Sequence, residues 1–204
     1  CFIVFVPYVL TIIYMFISEL YLKNENPVNS WAYTMLGQMY IVLPFSLINV
    51  LAFQQVGPGQ ITFDFLLPLS IFIFLWTNDT GAYVCGSLFG KHKLFPRISP
   101  KKSWEGSIGG GILVLIVAGV IGYFANNSGT PHVLSIPAWV GLGLVVVVFG
   151  TWGDLVESLL KRTLGVKDSG NMLPGHGGML DRFDSSLLAI PAAVVYLYTL
   201  TFFY

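Results

Sequence analysis

The chain has 204 residues, of which 55% are hydrophobic and 10% are charged, and its mean hydropathy is +0.75. Soluble domains carry charge on about a quarter of their residues, so this composition excludes an ordinary soluble globular protein. Ten basic and ten acidic residues give a formal net charge of zero, which indicates no particular partner. The two cysteines, Cys1 and Cys85, predict no disulfide framework.

Long apolar segments follow one another along the chain, each about as long as a helix that crosses a bilayer. They lie at about 2–22, 35–53, 65–89, 107–124, 138–155 and 185–204. We therefore expect an all-α, polytopic integral membrane protein with about six transmembrane helices. The chain begins inside an apolar run, at Cys1, without an initiator Met or a basic flank. This start predicts the C-terminal part of a longer membrane protein.

The basic residues lie in alternate loops. All ten Lys and Arg fall in the first, third and fifth connections, and the second and fourth, at about 54–64 and 125–137, carry none. Basic residues stay on the cytoplasmic side during membrane insertion. Loops one, three and five are therefore predicted to face the cytoplasm, and we expect any chemistry on that side.

One acidic residue, Asp79, lies inside the third apolar segment. A carboxylate at that depth costs about 2.5–3.5 kcal/mol on insertion scales, so it is expected to face a wet cavity or a partner. A purely structural polar contact remains an alternative to a place in a functional site. The glycines that follow it, Gly81, Gly86 and Gly90, predict close contact with another helix.

A second acidic residue, Asp154, lies at the inner end of the fifth segment. If that helix continues, Asp154, Ser158 and Lys161 share one face. Glu157 also precedes Lys161 by four residues, and an ordinary surface ion pair explains this spacing about as well.

The fifth loop combines acidic residues, basic residues and glycines. Asp181 and Asp184 are three residues apart, so one helical turn can present both carboxylates to one point. Such a pair suits Mg²⁺, which binds one or two carboxylates together with substrate phosphates. Glycines leave backbone amides free to approach an anion, and the cations suit a polyphosphate. A solvated loop in which both acids cap the last helix is the competing interpretation.

The third loop adds Lys101, Lys102 and Ser103 on the same predicted side, so its cations can converge with those of the fifth loop on one phosphate-rich ligand. Generic anchoring to anionic lipid is the alternative. His92 and His176 lack the partner spacing of a zinc site.

Together these stretches closely resemble the signature of the phosphatidate cytidylyltransferases, the CDP-diacylglycerol synthases. The longest block reads Ser158-x-x-Lys161-Arg162-x₄-Lys167-Asp168-x-Gly170-x₂-Leu173-Pro174-Gly175-His176-Gly177-Gly178-x-Leu180-Asp181-Arg182-x-Asp184-Ser185. The upstream blocks read Asp79-x-Gly81-Ala82-Tyr83, Gly86-x₃-Gly90-Lys91-His92-Lys93-Leu94 and Ser99-Pro100-Lys101-Lys102-x-Trp104-Glu105-Gly106. The similarity covers about residues 76–190, and residues 1–65 carry no recognisable motif.

The resemblance implies a reaction in which CTP and phosphatidic acid give CDP-diacylglycerol and pyrophosphate. It implies that Mg²⁺ is held by Asp154, Asp181 and Asp184, and it associates a monovalent cation such as K⁺ with the same acids. The cations expected to act in catalysis are Lys161, Arg162, Lys167 and Arg182. The residues expected to bind substrate are Asp79, Lys101, Lys102, Ser103, Ser158, Gly175, His176, Gly177 and Gly178.

We accordingly expect N-terminal transmembrane helices at 1–65 and a catalytic transmembrane region at 66–204, with cytoplasmic loops at 90–106 and 156–184. The expected location is a bacterial cytoplasmic membrane, with the active site facing the cytoplasm. The expected partners are CTP, phosphatidic acid and the bilayer, with no nucleic acid, and a homodimer is compatible with the sequence. A CDP-archaeol synthase, a polyprenol kinase and an ion transporter are the alternatives.

Overall fold

A computed structural model describes residues 2–22, 25–57, 60–127, 134–170, 172 and 177–203. The described chain is mainly helical: α1 (Phe2–Leu22), α2 (Pro27–Gly37), a π-helical turn (Gln38–Val42), α3 (Leu43–Ala52), α4 (Leu66–Phe89), α5 (Trp104–Asn127), α6 (Ile136–Thr163), α7 (Leu180–Phe183) and α8 (Ser186–Phe203). Two short antiparallel hairpins interrupt the helices: β1 (Phe53–Gly57) with β2 (Gln60–Phe63), and β3 (Lys93–Phe95) with β4 (Ser99–Ser103).

The prediction of an all-α polytopic membrane protein is confirmed, but its count of about six crossings is slightly too high. Within the described ranges, four helices are long and apolar enough to cross a membrane: Pro27–Ala52, Trp104–Asn127, Ile136–Thr163 and Leu180–Leu200. The helix at Tyr8–Leu22 is apolar but shorter. α4 has 24 residues, yet the polar run at 77–80 lowers its mean hydropathy.

The chain divides into two compact units, Cys1–Leu43 and Pro44–Tyr204. In the first unit the rings of Phe16 and Trp31 pack with their centroids 5.2 Å apart. The division falls where the π-helical turn meets Pro44, which has no N–H to donate to the preceding turn of helix. The predicted regions 1–65 and 66–204 were defined by expected function and not by packing, so these two units do not test them.

The core of the second unit lies where α4, α5, α6 and α8 pack together. Its most completely buried side chains come from all four helices: Phe74, Val114, Trp139, Leu142 and Ile190. Lipid tails are as apolar as these side chains, so helices in a bilayer associate mainly through close packing and interhelical hydrogen bonds. Close packing between these helices is therefore what fixes the positions of the polar groups at their ends.

Glycines set the spacing between α4 and α5. A Cβ on Gly110 would lie 2.6 Å from the carbonyl oxygen of Asn78, and one on Gly81 would lie 2.8 Å from the Cα of Gly110. Larger side chains would push the two helices apart, so the predicted close helix contact at Gly81 is confirmed. Asp79 is thereby held close to the region where the β3–β4 hairpin leads into α5.

Candidate active site

The face of α6 predicted to carry chemistry is present, because the helix continues through Thr163. Ser158 Oγ donates a hydrogen bond of 3.2 Å to Asp154 Oδ1, one turn earlier. Lys161 follows on the same face and is only partly exposed. Ser158, Lys161 and Arg162 thus lie on a helix, although the sequence placed them in a cytoplasmic loop starting at 156.

A close backbone approach at Gly153 brings α6 against the start of α8. A Cβ on Gly153 would lie 2.8 Å from the carbonyl oxygen of Asp184 and 3.0 Å from that of Ser185. Asp184 Oδ1 accepts a 2.6 Å hydrogen bond from the amide of Ser185, which fixes the carboxylate near α6. Asp154 and Asp184 consequently interact electrostatically across this contact.

The third loop meets the inner end of α6. The ammonium of Lys102, at the end of β4, forms an ion pair with Asp154 Oδ2, and both side chains are about one quarter exposed. Asp79 interacts electrostatically with Lys102, Asp184 and Asp154. Asp79 therefore belongs to this group of charges, and its role toward substrate stays a prediction. The sequence did not predict that Lys102 would bind a carboxylate as its partner.

A second ion-pair group lies beside the first and is centred on Lys161. Its Nζ donates to Glu157 Oε2 at 3.0 Å and to Asp181 Oδ1 at 2.7 Å. The ion pair between Glu157 and Lys161 was predicted as a surface alternative, but the Glu157 side chain is only 1% exposed. Sequence analysis missed this residue as part of the site. Its position three residues after Asp154, on the same helix, is the sequence signal that could have identified it.

Asp181 binds the two ends of residues 169–178, the glycine-rich segment. Its Oδ2 accepts hydrogen bonds from the Ser169 amide and Ser169 Oγ, each at 2.9 Å, and from the Gly178 amide at 2.7 Å. Gly177 has φ +83°, and a Cβ there would lie 2.7 Å from Asp181 Oδ2. A residue without a side chain is required at that position. The Gly178 amide binds this carboxylate, and the binding of phosphate by these glycines stays a prediction.

Ser103 has a structural position in addition to its predicted contact with phosphate. Its Oγ accepts a 3.2 Å hydrogen bond from the Gly106 amide, which caps the first turn of α5. The side chain is buried, and a Cβ on Gly86 would lie 3.1 Å from its Oγ. The hydroxyl is therefore held by the α4–α5 contact, and its role toward substrate stays a prediction.

The remaining predicted cations lie at the surface. Four basic side chains are exposed: Lys101, Arg162, Lys167 and Arg182. Gly175 and His176 fall outside the described residues, and Gly170 and Gly178 lie on either side of that gap. The phosphate-binding roles of all these residues stay predictions.

The acidic cluster consists of Asp79, Asp154, Glu157, Asp181 and Asp184. Ion pairs join the cluster to Lys102 and Lys161, and its five carboxylates outnumber these two ammonium groups. Glu157 Oε1 is buried, and the carboxyl group of Glu157 lies beside that of Asp184.

This excess of negative charge and hard oxygen ligands fits a divalent cation that also binds phosphate oxygens. No three His, Cys, Asp or Glu side chains of the described segments are arranged as a complete metal site. The structure thus brings Asp154 and Asp184 together, whereas the Asp181 carboxylate faces Lys161. One or two carboxylates satisfy Mg²⁺ when the nucleotide supplies the other oxygens.

Comparison with known proteins adds to this geometry. The model of the cytidylyltransferase family matches residues 2–200 of the chain. A phosphatidate cytidylyltransferase from Haemophilus influenzae is 48% identical over 127 residues, which cover 62% of this chain and 43% of the relative.

Phosphatidate cytidylyltransferases from Staphylococcus aureus (strain COL) and Staphylococcus saprophyticus are each 50% identical, over 123 and 125 residues, which cover 60% of this chain and 45% of each relative. The chain therefore matches less than half of the length of these relatives. Because the family model covers nearly the whole chain, the chain belongs to the cytidylyltransferase family.

Proposed function

We propose that the chain carries the catalytic region of a phosphatidate cytidylyltransferase, which converts CTP and phosphatidic acid into CDP-diacylglycerol and pyrophosphate. The observation that carries the proposal is the acidic cluster where α4, α6 and the start of α8 meet, with Lys102 and Lys161 within it. Membership of the family and the names of the relatives support the same activity.

In the proposed reaction an oxygen of the phosphatidate phosphate attacks the α-phosphorus of CTP. A new phosphorus–oxygen bond forms while the bond from the α-phosphorus to the oxygen bridging to the β-phosphate breaks, and pyrophosphate leaves with that electron pair. The attacking oxygen is already anionic, so no strong general base is required. Catalysis then depends on alignment and on neutralising charge, as in other phosphoryl transfers.

The proposed metal ligands are Asp154, Asp181 and Asp184. Of these, Asp154 and Asp184 are already adjacent across the Gly153 contact. When bound, Mg²⁺ would neutralise the triphosphate and polarise the reacting phosphoryl group. A polyphosphate that takes the Lys102 ammonium would leave the Asp154 carboxylate available for the metal. Lys102 thus changes partner as the nucleotide binds.

Lys161 is proposed to neutralise the phosphates from the α6 side. Its ammonium is already held between Glu157 and Asp181, so little side-chain freedom remains to be lost on binding. Asp181 anchors Ser169 and Gly178 on the two sides of the glycine-rich segment. This arrangement would place that segment and the flanking cations Lys167 and Arg182 next to the nucleotide.

The orientation is proposed from the distribution of basic residues, with the acidic cluster at the cytoplasmic face of a bacterial membrane. The acidic cluster and the basic third and fifth loops share one end of the helices. CTP, a cytoplasmic nucleotide, and phosphatidic acid, a lipid of the bilayer, then reach the site from its two sides.

The test is synthesis of labelled CDP-diacylglycerol from labelled CTP by the purified protein in lipid nanodiscs, with Mg²⁺. Phosphatidic acid should support product formation, whereas archaeal ether lipid phosphate and polyprenol should not. Lys102→Gln should lower turnover by about 10- to 100-fold, and Arg97→Gln removes a cation of the same hairpin as the matched control. Product formation from polyprenol instead, or equal turnover in the two variants, would contradict the proposal.

A further inference from the structure

A wide, open recess lies away from the acidic cluster, where the β3–β4 hairpin meets the first turns of α5. Its volume is about 770 Å³, and its walls include Lys91, Lys93, Trp104 and Ile108. None of these side chains contacts the acidic cluster through the ion pairs described above.

The recess presents positive charge. The one carboxylate in its wall, Glu105, accepts hydrogen bonds from the Lys91 and His92 amides at 3.2 Å and lies 2.6 Å from His92 Nδ1. Glu105 is thus engaged in holding the hairpin to α5. Lys91 and Lys93 are exposed, and neither ammonium has an ion pair with any residue that the structure describes. The chemistry favours an anion such as a phosphate group.

An apolar face continues from this recess along α5. Trp104, Ile108, Ile112 and Ile116 are spaced at four-residue intervals, and each is between 54% and 58% exposed. Residues at this spacing lie on one face of a helix. The face borders a groove of about 250 Å³ between α4 and α5, which is lined by Val84, Ile112 and Leu113 among others.

The dimensions match those of one bilayer leaflet. Twelve residues of helix from Trp104 to Ile116 rise about 18 Å, and half of the hydrocarbon core of a bilayer is about 15 Å. α5 is one of the helices long and apolar enough to cross the membrane. Trp104 begins that helix, at the position where tryptophan is enriched in membrane interfaces.

We propose that this surface is a binding site for an anionic phospholipid of the bilayer, separate from the acidic cluster. The lipid phosphate lies between Lys91 and Lys93 beside Trp104, and one acyl chain follows Ile108, Ile112 and Ile116 into the groove between α4 and α5. Charge complementarity selects the headgroup, and the continuous apolar face selects a ligand with a chain. The site does not depend on the reaction proposed above.

Quenching of tryptophan fluorescence tests the site in nanodiscs of phosphatidylcholine. Brominated phosphatidylglycerol is compared with brominated phosphatidylcholine as quencher, and Trp104→Phe identifies the contribution of Trp104. Stronger quenching of Trp104 by the anionic lipid is expected. Lys91→Gln and Lys93→Gln should each weaken its apparent affinity about fivefold. Arg97→Gln removes a charge from the same hairpin outside the recess and should change that affinity far less.

Three outcomes would overturn the assignment. Equal quenching of Trp104 by the two brominated lipids would remove the headgroup preference. Equal effects of Arg97→Gln and the two lysine variants would show that general surface charge, and not the recess, attracts the lipid. A third arm adds inorganic phosphate or glycerol phosphate: if either protects Trp104 from the anionic lipid at comparable concentration, the recess binds free phosphate and the acyl chain has no role.

Discussion

The ammonium nitrogen of Lys161 lies 2.7 Å from Asp181 Oδ1, so one ion pair ties the end of α6 to the first residues of α7. The same carboxylate holds the Ser169 amide and the Gly178 amide. Asp181 therefore joins the helical part of the site to the ends of the glycine-rich segment. Its replacement tests two proposed roles, as a metal ligand and as the anchor of that segment.

Asp181→Asn should leave the protein folded and inserted but lower its turnover by about 10- to 100-fold. The amide cannot pair with Lys161 as a charge, and its NH₂ group faces donors that need an acceptor. Kinetics against CTP and Mg²⁺ check the cause. A raised Mg²⁺ requirement identifies Asp181 as a metal ligand, whereas a raised KM for CTP alone identifies it as the anchor of the segment.

The control for this variant is Asp64→Asn. Asp64 Oδ1 accepts from the Leu66 amide at the start of α4, a cap that asparagine can keep. Near-normal turnover of Asp181→Asn would remove Asp181 from the site altogether.

Glu157 should respond differently to two substitutions. Gln keeps an acceptor for Lys161 and supplies a donor toward Asp184, so Glu157→Gln should change the free energy of unfolding by less than about 1 kcal/mol. Glu157→Ala removes one of the two partners of Lys161 and leaves a gap in a buried position, so it should cost about 1–3 kcal/mol. Thermal unfolding in detergent measures both, and equal losses in the two variants would contradict this account of the buried carboxylate.

Gly153→Ala tests the contact that brings Asp154 beside Asp184. Its Cβ would lie 2.8 Å from a backbone carbonyl oxygen, so α6 and the start of α8 must move apart, at a cost of about 1–3 kcal/mol. Turnover should fall with stability. Gly37→Ala is the matched control, because nothing lies within 4 Å of a Cβ there, and it should stabilise α2 by about 0.5–1 kcal/mol. Unchanged turnover in Gly153→Ala would show that this spacing is not needed.

Sequence analysis succeeded where one local pattern fixes the outcome. The four-residue spacing of Asp154 and Ser158 predicted their shared helix face, and the glycine at 81 predicted the close approach of α4 to α5. The alternation of basic loops predicted one side for the third and fifth loops, and the Lys102–Asp154 ion pair places the third loop at the inner end of the fifth apolar segment. Each of these predictions follows from helix geometry or from charge, which can be read from one segment of the sequence.

The rest depends on contacts between distant segments. Glu157 has the same spacing to Lys161 as any surface ion pair, and only the packing of α6 against the start of α8 buries it. β4 of the hairpin consists of Pro100 and four polar residues, so its sequence has no alternation of apolar and polar residues to indicate a strand. The choice of Asp154 as the partner of Lys102 likewise follows from tertiary packing.

The most direct measurement is Mn²⁺ binding by the purified protein with CTP, followed by electron paramagnetic resonance. Mn²⁺ takes the same oxygen ligands as Mg²⁺, so the proposed site should bind it in the wild type and in Asp64→Asn. Affinity should fall at least about tenfold in Asp154→Asn/Asp184→Asn. If that double variant binds Mn²⁺ as tightly as the wild type does, the acidic cluster is not the metal site and the proposed mechanism is wrong.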